Sequence, residues 1–176
     1  MIVLGIGNVL QKDDGLGVYA STYLNHNYSF SEEIQIINGG VEGINLLNIF
    51  MDNVKILILD TIEIDDEPGS IYAIPSHELS GRGINSGGAH EIGVIQCLDM
   101  LELQGKTLPE ATIFGIVPDT VTFDIALSTV LLKAFDGYIN SVLLFLEKEN
   151  IFAKQKASPV SLQKIINKAK DPSFSL

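Results

Sequence analysis

Five short apolar runs, spaced by helix-length stretches, do most to fix what this chain can become. They are Ile2–Gly5, Ile34–Ile37, Ile56–Leu59, Ser70–Ile74 and Thr112–Val117. Three of them are almost wholly apolar, which suits strands covered on both faces in a mainly parallel sheet. Helical patterns fall between them: one after Gly15, one through Ile44–Met51, one through Glu91–Leu103 and a long one through Ile125–Glu149. The resulting order, β-α-β-α-β-β-α-β-α, implies one α/β domain. Its core is an open, twisted, mostly parallel five-stranded sheet with helices on both faces. Pro68-Gly69 marks a turn between the third and fourth strands. That connection is too short for a parallel crossover, so the fourth strand is expected to run antiparallel.

The chain has 176 residues, 46% of them aliphatic or aromatic, enough for a sizeable core in one domain. No uninterrupted apolar run reaches the roughly 18–20 residues of a membrane span. Met1-Ile-Val-Leu-Gly lacks a basic n-region and reads as a buried first strand rather than a signal peptide. Cys97 is the single cysteine, so neither an intrachain disulfide nor a cysteine-rich metal site can form. Together these set a cytoplasmic location, with no membrane partner, as the expectation. The net charge is −11. Residues 1–150 hold 6 Lys/Arg against 21 Asp/Glu, a balance of −15, and residues 151–176 hold 5 Lys against 1 Asp, a balance of +4. An acidic body argues against nucleic acid, whose binding rests on cationic neutralisation. It suits plain solubility, or attraction of a cation or a basic peptide. The basic stretch 151–176 is set apart as a C-terminal tail, either a short packed helix or a mobile appendage.

In an open α/β sheet, ligands bind beyond the carboxyl ends of the strands. After the first strand stand Gly5-Ile-Gly7-Asn8 and then Asp13-Asp14-Gly15-Leu-Gly17. Asp60 directly follows the third strand, His90 opens the third helix, and Pro118-Asp119-Thr120 follow the fifth strand. Asp14, Asp60 and His90 can therefore converge on one sheet edge. Carboxylate oxygen and imidazole nitrogen suit Zn, Ni, Mn or Fe. Three protein ligands leave positions open for water or substrate, as in a catalytic site. Each residue also has a plainer use. Asp14 can be a helix N-cap, Asp60 can bind backbone amides, and His90 can be a cap or a satisfied histidine. Ser76–Ala89 is a long loop carrying Gly81, Gly83, Gly87 and Gly88, the composition of a flap over the site. Cys97 falls on an apolar helical face and reads as inert core. His26 and His77 read as surface residues.

Other enzyme signatures fail. The third glycine of a dinucleotide fingerprint would fall at Leu10, no Lys-Ser/Thr follows a glycine loop, and there is no Gly-x-Ser-x-Gly elbow. A phosphate-binding α/β enzyme would find only Lys12 and Arg82 near these positions.

The motif Gly5-Ile-Gly-Asn-Val-Leu-Gln-Lys-Asp-Asp-Gly-Leu-Gly17 resembles the N-terminal signature of the nickel–iron hydrogenase maturation proteases. Gly39-Gly40 with Gly43, Leu59-Asp60, Ala89-His90-Glu-Ile-Gly93 and Gly115-Ile-Val-Pro118 follow in that family's order. The resemblance covers about residues 1–150. It implies an endopeptidase that removes a short C-terminal extension from a hydrogenase large-subunit precursor once nickel is inserted. The implied metal ligands map onto Asp14, Asp60 and His90, and the nickel is either the enzyme's own or brought by the precursor. The family often has Asp before the glycine pair and Thr after it. Here they are Asn38 and Val41, so a carboxylate role at position 38 is not carried over. Two other readings remain open: a different α/β hydrolase on a similar sheet, or a nickel-sensing or docking protein for the precursor that does not cleave it.

Overall fold

The computed structural model describes residues 1–52, 55–75, 78 and 89–171. A five-stranded sheet forms the centre. Its strands are β1 (Ile2–Ile6), β3 (Gln35–Gly40), β4 (Lys55–Thr61), β5 (Ile71–Pro75) and β6 (Glu110–Ile116), in the spatial order β3-β1-β4-β6-β5. β1, β3, β4 and β6 pair in parallel, and β5 runs antiparallel to β6, as the short Pro68-Gly69 connection requires. The expected α/β class and its mostly parallel sheet stand.

Period-two alternation explains why the strands are apolar throughout. Val3, Leu57 and Leu59 face one core cluster, while Ile2, Leu4, Ile6, Ile56 and Ile58 face the other. On the first face lie α1 (Leu16–Asn27), α4 (Thr129–Lys148) and α5 (Leu162–Lys170), through residues such as Leu24, Phe135 and Ile166. On the second lie α2 (Leu47–Asp52) and α3 (Ala89–Leu103), through Phe50, Val94 and Leu101. Cys97 is fully buried there, and burial pushes its thiol pKa up, so it is core rather than nucleophile.

Several boundaries differ from the sequence expectation. The long helix begins at Thr129 rather than Ile125, because the Ser128 side chain accepts from Leu131 N at 3.2 Å and caps it. The stretch expected as helix through Ile44–Met51 divides into a 3₁₀ turn, Gly43–Leu46, and α2. His26 lies half-buried in the last turn of α1 rather than in a surface loop. A small second sheet was not foreseen: β2 (Tyr28–Phe30) pairs antiparallel with β7 (Ala153–Gln155). Asn27 joins the same region, giving Nδ2 to Val160 O at 2.8 Å and taking Val160 N on Oδ1 at 2.5 Å. The basic stretch is thereby tied to the end of α1, and Ile165 and Ile166 of α5 are buried in the first cluster.

Among the described helices, α4 has the length and mean hydropathy, 1.4, of a membrane span. One face, Leu131, Phe135, Tyr138, Ile139, Val142 and Leu146, is buried in the core, and Lys133 and Asp136 interrupt the outer face, where Leu132 and Leu144 are exposed.

α1 lies unusually close to the sheet. A Cβ on Gly17 would stand 2.1 Å from Leu59 O and 2.4 Å from Ile6 O. Only glycine there lets the helix backbone rest on the strand carbonyls. This contact sets where α1 begins, and hence where the residues just before it sit.

Candidate functional site

The carboxyl ends of β1, β4 and β6 share one edge of the sheet, and their loops build the site. The β1 loop leads through a 3₁₀ turn, Lys12–Gly15, into α1. On its way it reaches over the end of β4 to the loop that follows β6. Lys12 N donates to Asp124 O at 2.8 Å, Asp124 N to Leu10 O at 3.0 Å, and Asp13 N to Thr120 O at 3.3 Å. Gln11 and Asp124 form a parallel bridge. Lys12 takes a left-handed φ of 56° to make this crossing.

Asp60 stands one residue before the end of β4 beneath that cover and is 0% exposed. Its Oδ1 accepts from Thr61 N at 2.8 Å. Asp14 is 7% exposed, and its Oδ2 accepts from Asn8 N at 2.9 Å. Gly7, at φ 125°, separates the two. A Cβ there would stand 1.9 Å from Asp14 O and 3.7 Å from Asp60 Oδ1. The absence of a side chain at position 7 therefore lets the Asp14 loop close on the Asp60 carboxylate. Asp14 is not an N-cap; Gly15 occupies that place before α1.

Tyr138 lies against Asp60 from the α4 side. Burial, and then the Asp60 charge, push its pKa well above the ordinary value, so it stays a neutral hydroxyl and donates to Phe114 O at 2.6 Å. Tyr19 on α1 is pushed up to about 12 by burial and by the Asp124 carboxylate. Both phenols are packing groups under the loops.

His90 stands in the first turn of α3, as expected of a residue that opens that helix. Its side chain lies outside the described residues, as do His77, Arg82 and the loop segment 79–88 on which the flap expectation rests. Among the described residues no three His, Cys, Asp or Glu side chains assemble as a metal set, so the geometry on view is the pair Asp14 and Asp60. The buried Asp60 carboxylate beside a cradle with no Cβ, with the Asp14 loop closed against it, has the donor chemistry for a hard or borderline divalent ion. Burying such groups is costly unless hydrogen bonds or a cation offset it.

Sequence reasoning passed over Asp13. It is fully buried, and its Oδ2 accepts from Asp119 N at 3.0 Å and Thr120 N at 2.8 Å, while Oδ1 accepts from Ser128 N at 2.6 Å. One carboxylate thus ties the start of the β6 loop and the cap of α4 to the β1 loop. The doublet itself held the signal: neighbours in a 3₁₀ turn point about 120° apart, so Asp13 and Asp14 cannot both face the same site. Asp119 and Thr120 contribute backbone amides to this arrangement. Asn38 is likewise structural. Its Oδ1 accepts from Gly40 N at 3.2 Å, and Gly40 O accepts from Gly7 N at 2.9 Å. A cap at position 38 explains how an amide serves there.

Asp13→Ala is expected to lower unfolding free energy by at least about 3 kcal/mol, since hydrogen bonds to a charged acceptor contribute about 1.5–3 kcal/mol each. Asp13→Asn should lie between that variant and the wild type, because its NH₂ must face one of the three amide donors. Urea titrations of the three proteins check the order, and an unchanged midpoint for Asp13→Ala would remove the staple.

A family model described as hydrogenase maturation protease matches residues 18–145. The chain belongs to that family. Among curated relatives, the hydrogenase 2 maturation protease of Escherichia coli (strain K12) is 25% identical over 154 residues, spanning 87% of this chain and 94% of that protein. The solved structure of the hydrogenase maturating endopeptidase HybD from E. coli superposes with a TM-score of 0.80 at 24% identity, covering 89% of this chain and 97% of that one. The [NiFe] hydrogenase maturation protease HybD from Thermococcus kodakarensis gives 0.65 at 24% identity, over 82% and 97%. Membership carries the enzyme class: this is a protease of the maturation family, on the HybD-like fold.

Proposed function

We propose that this family member is the endopeptidase that removes the C-terminal extension from a nickel-loaded hydrogenase large-subunit precursor, with Asp14, Asp60 and His90 holding the ion. The observation that carries the reading is the meeting of the Asp14 loop and the Asp60 carboxylate across Gly7. When bound, a divalent ion polarises a carbonyl and lowers the pKa of a coordinated water. The residues of the chain do the rest. Asn8 N and Thr61 N each hold one oxygen of a carboxylate and so fix both groups in place. The β1 and β6 loops, welded by Asp13, keep bulk water from Asp60. If the nickel arrives inside the precursor, it is part of the substrate, and recognition of metal and cleavage of the chain become one step. The reading places the enzyme in the cytoplasm.

Incubation with nickel-loaded and nickel-free precursor, followed by intact-mass measurement, tests it. Loss of the extension from the nickel-loaded form alone is expected. An unchanged mass with stable binding would make the protein a docking or sensing factor, and cleavage independent of nickel would remove the metal from the reaction.

A further inference from the structure

The loop edge beside Asp14 carries an apolar rim that the proposed chemistry does not use. Phe123 is 86% exposed, Val121 47% and Leu10 44%. Loose loops often expose apolar side chains on surfaces of no consequence, but these loops are fixed. Leu10 and Phe123 are brought side by side by the bond from Asp124 N to Leu10 O, and Val121 follows the Thr120 carbonyl that accepts from Asp13 N. The Asp13 carboxylate then anchors the same loop at Asp119, Thr120 and Ser128. Three apolar side chains held outward on a rigid frame have lost the freedom to fold back, so a partner can cover them at little ordering cost.

The rim is bordered by charge. Asp119 and Asp124 are exposed on either side of Val121 and Phe123, and Lys12, half-buried, is the nearby cation on the facing loop. The body behind them carries the −15 balance of residues 1–150. Leu103 is as exposed as Phe123 but stands at the far end of α3, with no such frame and no carboxylate site beside it.

We propose that Leu10, Val121 and Phe123 form the docking rim for the precursor polypeptide, receiving a bulky apolar side chain flanked by basic residues and so setting which chain enters the Asp14–Asp60 site. This deepens the proposed function and rests on it for the identity of the partner. The apolar centre governs affinity, and the acidic border governs encounter rate and its salt dependence.

The test is binding of the nickel-free large-subunit precursor, extension intact, to immobilised full-length protein, so that docking is read without cleavage. Phe123→Ala should weaken binding at least about tenfold, and Phe123→Leu should stay within about threefold of wild type, as expected for an apolar anchor. Asp119→Lys with Asp124→Lys should slow association and flatten its dependence on salt. Thermal unfolding should be unchanged in each, since none of these side chains packs in the core. Wild-type affinity in Phe123→Ala overturns the proposal. So does a wild-type dimer that this variant converts to monomer with precursor binding intact, which would assign the rim to a second copy. Cleavage of nickel-loaded precursor by the wild type is scored separately. If it fails while the rim variants still lose binding, the proteolytic reading falls and the docking rim stands.

Discussion

Asp60→Asn should lose nickel or zinc affinity by at least tenfold, about 1.4 kcal/mol or more, while its urea midpoint holds or rises. The two effects separate because they arise from different states. In the apo protein the Asp60 carboxylate is fully buried, and an amide of the same shape removes a buried charge at little structural cost. In the loaded protein the amide lacks the anionic donor. Asp14→Asn should show the same loss of affinity. His90→Ala should retain cooperative unfolding and lose processing by at least about a hundredfold, since changes one sphere further from a metal already cost about 10–100-fold. Calorimetric titration with the metal, paired with precursor cleavage, measures both sides. A carboxylate variant that binds metal like the wild type leaves the ligand set, and loss of cooperative unfolding in His90→Ala would make that histidine structural.

Gly17→Ala should be strongly destabilising for a change of one methyl group. The new Cβ would overlap Leu59 O and Ile6 O, two carbonyls held in the β4 and β1 ladders that cannot swing aside. Relief requires α1 to lift by about 1.4 Å to reach ordinary contact distance. Overpacking of this kind costs about 3 kcal/mol or more when the neighbours are rigid. The lift also displaces Asp14, two residues before the helix, so processing should fall with stability. Gly137→Ala is the control. That glycine lies within α4 with nothing inside 4 Å of a built Cβ, and alanine there should stabilise by about 0.5–1 kcal/mol through helix propensity. Thermal melts of the two variants should move in opposite directions. If Gly17→Ala melts like the wild type, the helix is not seated as described.

The central sheet was legible because its determinants are local. Ile56-Leu57-Ile58-Leu59 says "buried on both faces" without reference to anything else in the chain, and Asp60 stands out because it ends such a run. Pro68-Gly69 gave away the antiparallel strand for the same reason. What escaped depends on distant partners. Ile125 continues an apolar pattern and looks helical, yet the helix waits for Ser128, whose amide is engaged by Asp13. Tyr28–Phe30 and Ala153–Gln155 are three-residue strands with no periodicity to read, and each exists only because the other is there. Asp13 and Asp14 are indistinguishable by type. Only the crossing of one loop over β4 decides that the first takes amides from the distant β6 loop while the second takes the amide of Asn8 in its own loop.

The Asp13 staple also imposes an order on how the protein can be made. Asp14 is made more than a hundred residues before Thr120, Asp124 and Ser128, yet the loop that holds it is tied down by those later residues. Closing a contact of that span is entropically slow, and it cannot precede the arrival of α4. On a growing chain, then, this motif waits for the β6 loop and α4 before it can take its shape. While those hundred residues are being added, Asp13 and Asp14 stay in solution, without the amides that later hold Asp13 in place.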